Sequence, residues 1–143
     1  MSEDQWPPTL TPYVAVPDAR RALQWYSDVL GATPRGEPYE MPDGSIGHAE
    51  VGIGNAVLMF ADSTDGVPVA APSGGGPHSH TLHLQVADTD ATTARAAAHG
   101  AQVERQPEDQ PYGRVAVIVD PFGHRWMFNT PPAGDGNPAA APG

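Results

Sequence analysis

The chain has no cysteine. That excludes disulfides, thiolate zinc sites, iron–sulfur clusters and a cysteine nucleophile at once. Positive charge is scarce too, with 7 Lys and Arg against 17 Asp and Glu and a net charge of -10. With no basic cluster to relieve it, such a surface repels the phosphates of nucleic acids and anionic membranes, so neither is an expected partner. Long apolar runs are missing as well, and the opening MSEDQWPP is acidic without an apolar core. Neither a spanning helix nor a signal peptide is read from it, and a cytoplasmic protein is expected. A chain of 143 residues has room for one duplicated core, burying roughly 70% of the surface its unfolded form exposes.

What is present is a pattern written twice. TPYVAVPDARRALQWYSDVLGA at 11–32 is echoed by TLHLQVADTDATTARAAAHGA at 81–101. In each copy an alternating strand begins with Thr, ends at Asp18 or Asp88, and runs into a helix closed by Gly-Ala. The first copy predicts a strand over 11–16 and a helix over 19–30, with Ala22, Leu23, Tyr26, Val29 and Leu30 on its apolar stripe and Gly31 as its cap. A short strand over 38–41 then turns at Asp43-Gly44 into strands over 46–53 and 56–60. The second copy predicts a strand over 81–86, a helix over 89–99, a strand over 102–105, a loop through Pro111-Tyr112-Gly113, and strands over 114–119 and 124–129. Asp120-Pro121-Phe122-Gly123 has Pro and Gly where a type I turn wants them. The expected architecture is α+β, two tandem βαβββ modules at 10–61 and 79–130 joined by a Gly/Pro-rich link at 62–78. The lead at 1–9 and the Pro/Ala/Gly tail at 131–143 bury too little to fold.

Three segments, VPDARRALQWYSDVLGA, GHAEVGIGNAVLMFAD and YGRVAVIVDPFGHRW, taken in that order, resemble the vicinal oxygen chelate superfamily. It includes glyoxalase I, extradiol dioxygenases and bleomycin-resistance proteins, and the wording is most similar to its PhnB-type branch. The resemblance spans about residues 10 to 130. It implies modules that curl eight strands into a cup with helices outside, often in a homodimer, holding a metal or organic ligand. In metal-using members the ligands sit at the start of each module's first strand and within its last. Carried across by motif spacing, those positions fall at Thr11, Met59, Thr81 and Met127. Hydroxyls and thioethers are weak donors for a divalent metal beside imidazole and carboxylate, so no metal and no other cofactor is expected. Both halves carry the same pair.

Strand parity sends other side chains toward the cup. The expected lining is Tyr13, His48, Glu50, Val57, Met59, His83, Gln85, Arg125 and Met127, with Tyr112 in a loop able to close over a ligand. Soft apolar bodies with a few polar tips suit a small organic molecule. Glu50, His48 and His83 are the catalytic candidates, set against a plainer reading in which His48 and Glu50 satisfy one another or Glu50 pairs with Arg125. His78 and His80 read as solvated loop, His124 as part of a turn, His99 as a helix C-terminus, and Trp25 and Tyr26 as packing. The expected function is a metal-free binding protein of the bleomycin-resistance type that sequesters a natural product or antibiotic. The alternatives are a metal-dependent lyase, isomerase or dioxygenase with a displaced site of His48, Glu50 and His83, and cofactor-free acid/base chemistry needing a raised Glu50 pKa.

Overall fold

The computed structural model of the chain describes residues 6–64, 66–73 and 75–133. The lead over 1–5, the tail over 134–143, and Asp65 and Gly74 of the link lie outside the described residues. The chain is α+β and divides into two compact units, the first ending at Ser73 and the second beginning at Gly74.

In the first unit β1 (Tyr13–Val16) leads to α1 (Ala19–Leu30), the short strands β2 (Thr33–Pro34) and β3 (Tyr39–Glu40), then β4 (Ile46–Ile53) and β5 (Ala56–Asp62). The sheet order is β1-β5-β4-β2, with β3 also pairing to β4 and β1 parallel to β5. The helix has its sequence-predicted bounds for local reasons. Asp18 accepts from the Arg21 N–H as N-cap, and Gly31 closes the other end at φ 67, a left-handed conformation that costs a Cβ-bearing residue roughly 1–2 kcal/mol. The helix lies on one face of the sheet, where Tyr26 meets Phe60 edge to face at 5.6 Å. Tyr26, Val29, Val51 and Phe60 are fully buried there, each contributing roughly 1.5–3 kcal/mol. The strand expected over 38–41 is β3, and β2 is an additional short strand before it; both pair antiparallel with β4.

The second unit repeats the plan with β6 (Leu82–Gln85), α2 (Thr89–Ala98), β7 (Gln102–Gln110), β8 (Gly113–Val119) and β9 (Arg125–Thr130), in the order β6-β9-β8-β7. Here β7 runs well past the predicted end at 105. Its polar sequence and Pro107 are tolerated because β7 is an edge strand with register shifts between Val103 and Arg105 and between Arg105 and Glu108. Among the described residues no helix is long and apolar enough to cross a membrane.

Each helix start is held by the last strand of its own unit. Asp62 accepts from the Ala19 N–H at 2.6 Å and from the Ile46 N–H at 2.7 Å. In the second unit the Thr130 hydroxyl accepts from the Thr89 N–H at 3.0 Å and donates to the Val86 carbonyl at 2.9 Å. The turn at Asp120 is similarly knotted, its buried carboxylate accepting from the backbone of Phe122 and His124 and from the Trp126 indole. His124 thus sits in a turn, and its ring lies 5.8 Å from that of His80.

Candidate functional site

The face of the first sheet opposite α1 carries the polar groups. On β4, Ala49, Val51 and Ile53 are buried while His48 and Glu50 are only partly so, as alternation requires. The register sets Tyr13 of β1, Met59 of β5 and Glu50 of β4 in one row across three strands. A hydrogen-bonded line runs through this row. The Tyr13 hydroxyl lies 2.6 Å from His48 Nδ1, His48 Nε2 lies 2.7 Å from Glu50 Oε2, and Arg35 Nε donates to Glu50 Oε1 at 3.2 Å.

Arg35 reaches Glu50 because β2 pairs with β4, and its own backbone N–H bonds the Glu50 carbonyl. The bond from His48, and then that from Arg35, hold the Glu50 carboxyl below its ordinary range against the opposing effect of burial. Burial, then the Glu50 charge, push the Tyr13 phenol up. Glu50 is therefore ionised and Tyr13 protonated at neutral pH. That lowering runs opposite to the raised Glu50 on which cofactor-free acid/base chemistry depends.

A cavity of about 570 Å³ opens at one end of that face, and every residue lining it belongs to the first unit. Tyr13, Ala15, Met41, Ile46, Ala61, Val67 and Val69 give it a mainly apolar lining, with Asp43, Ser45, Asp62 and Thr64 among its polar groups. Met41 and Tyr39 lie over Gly47, where an added Cβ would meet the Met41 Sδ at 2.7 Å. The link is thus part of the wall.

Of the sequence-predicted lining, Tyr13 alone borders this cavity. His48 and Glu50 stand behind Tyr13 in the hydrogen-bonded line, Met59 lies beside it in the register, and Val57 is buried on β5. The remaining candidates belong to the second sheet. His83 pairs across to Met127, Gln85 to Asn129, and both His83 and Gln85 are exposed. Within its own unit Arg125 forms an ion pair with Glu104 on the bulged edge strand and donates from Nη1 to Thr81 Oγ1 at 2.6 Å. Tyr112 sits in the turn between β7 and β8, its carbonyl accepting from Asn129. Thr11, expected at the start of the first strand, lies two residues before β1 and donates to the Pro8 carbonyl at 2.9 Å. Among the described residues no three His, Asp or Glu side chains gather to hold a metal ion.

The sequence reading missed Arg35, Met41, Val67 and Val69. In the sequence Met41 reads only as the end of the short strand over 38–41, and the signal for the two valines is an apolar pair flanking Pro68 inside a Gly/Pro-rich link.

The model of the Glyoxalase/Bleomycin resistance protein/Dioxygenase superfamily matches residues 9–128. The chain belongs to that superfamily. Among its relatives an uncharacterized protein of Mycobacterium bovis is 36% identical over 128 residues, covering 87% of this chain and 84% of its own length. Among solved structures, TioX from Micromonospora superposes with a TM-score of 0.65 at 27% identity, covering 86% of this chain and 98% of TioX. TnmS3, an antibiotic binding protein from Streptomyces, superposes with a TM-score of 0.62 at 26% identity, covering 85% and 93%.

Proposed function

We propose that this superfamily member binds and sequesters a small organic molecule, a natural product or antibiotic, without a metal and without converting it. The observation that carries the reading is the cavity of about 570 Å³ with a mainly apolar wall, within the range that holds a drug-sized ligand. The similarity to an antibiotic binding protein points the same way.

The residues at the family's metal positions do not fit a divalent cation. Thr11 and Thr81 offer only neutral hydroxyl oxygens, and that of Thr81 already accepts from the guanidinium of Arg125. A permanent positive charge at that distance opposes a second cation, and the Met59 and Met127 thioethers add only weak donors. The displaced site has less support, since both ring nitrogens of His48 are engaged by Tyr13 and Glu50. Assembly as a homodimer is part of the same reading, on the strength of the family resemblance, and light scattering tests it.

The deciding experiment is a thermal-shift screen of polyaromatic and glycopeptide natural products with and without chelator, beside elemental analysis of the purified protein. The expected result is an upward shift with one organic class, unchanged by chelator. Stoichiometric metal whose removal lowers the melting temperature overturns the metal-free reading.

A further inference from the structure

The chemistry of the guest follows from the direction in which Tyr13 spends its proton, and it rests on the binding reading above. Ionised Glu50 offers acceptors only, so the short contact at Oε2 requires a proton on His48 Nε2. If the imidazole is neutral, Nδ1 then carries a lone pair and the Tyr13 hydroxyl donates to it at 2.6 Å. If the imidazole is cationic, Nδ1–H donates to the phenol oxygen, and the Tyr13 hydroxyl turns to the Gly47 carbonyl at 3.3 Å. In both states the phenol proton faces protein. Tyr13 is among the residues lining the cavity, and toward a ligand its hydroxyl keeps a lone pair and no proton.

The other polar walls have the same bias. Asp43 accepts from the Ser45 N–H and hydroxyl, both at Oδ1, which leaves acceptor capacity on a carboxylate that takes about four bonds. Those bonds hold it below its ordinary pKa, so it is anionic at neutral pH. Asp62 adds a second carboxylate, and Ser45 gives its hydroxyl proton away to Asp43. Among the described residues none of those lining the cavity is Arg, Lys or His.

We propose that the guest is an apolar molecule carrying a hydrogen-bond donor, best of all a protonated amine, seated with its amine toward Tyr13 and Asp43 and its apolar body against Met41, Ile46, Val67 and Val69. A carboxylate or phosphate in the same place meets acceptors and negative charge and is rejected, which gives the site its selectivity.

Three fluorescent probes of one shape test this: anthracenylmethylamine, anthracenylmethanol and anthracenecarboxylate, titrated at neutral pH against the full chain. The expected order of affinity is amine, alcohol, carboxylate, with about tenfold or more between the first and last. Tyr13→Phe and Asp43→Asn are each expected to weaken the amine several-fold and leave the carboxylate unchanged, and Val67→Asp to weaken the anthracene alcohol through the apolar wall. Urea midpoints of the variants establish that they fold. Equal or tighter binding of the carboxylate, or a preference untouched in both Tyr13→Phe and Asp43→Asn, overturns the amine assignment and leaves sequestration standing. If no probe binds while a natural product still shifts the melting temperature, this inference falls alone; if neither binds, both fall.

Discussion

Glu50 is the residue on which the first module's polar chemistry converges. Its carboxyl titrates below the ordinary value of 4.5 in the folded protein because His48 and then Arg35 bond the charged form. A depressed acid stabilises the fold above its unfolded pKa, and that contribution is lost as pH falls through the folded value. Glu50→Gln is therefore expected to flatten the fall in stability below pH 4.5 and to cost about 1–2 kcal/mol at neutral pH, read from urea melts at several pH values. An unchanged acid limb in the variant contradicts the assignment. Asp120 makes a sharper test of stability alone. Three donors, two from backbone and one from Trp126, rest on one buried carboxylate, so Asp120→Ala is expected to cost about 3 kcal/mol or more in chemical denaturation. The positions of His48 and Glu50 on one face were legible from alternation along β4. Their partner Arg35 was not, because nothing local to Arg35 says that β2 will lie beside β4.

At the scale of elements the two modules solve one problem with different residues. Both helices begin after an Asp whose side chain accepts from the third following N–H, and both take a further bond from the end of the last strand, Asp62 in one and Thr130 in the other. Asp62 has a second duty to β4, so Asp62→Ala is expected to cost more than Asp18→Ala, about 2–3 kcal/mol against about 1 kcal/mol. Equal costs in thermal or urea melts would show that the Ile46 bond contributes nothing. Helix ends, turns and strand faces were read correctly because capping, left-handed glycine and alternation are local. The end of β7 was misread for an equally physical reason: Pro107 and its polar neighbours look like loop until the strand is known to be at an edge, where a missing donor and a bulge do little harm.

Across the whole molecule, the excess of 17 acidic over 7 basic residues sets long-range behaviour. No complex with duplex DNA is expected in a gel-shift assay even at low salt, and a salt-sensitive complex would show a basic surface that the composition hides. The sequence by itself determined the doubled βαβββ plan, the helix limits and which side chains share a sheet face, because those depend on neighbours within a few positions. Only the tertiary structure decided which side chains meet. Tyr13 reaches His48 across 35 positions of chain and Arg35 reaches Glu50 across 15. Likewise Met41 and the two valines of the link become one wall with Tyr13 through strand pairing and chain return. Such pairings are set by register and packing, which no local pattern encodes, and they fix the direction in which Tyr13 spends its proton.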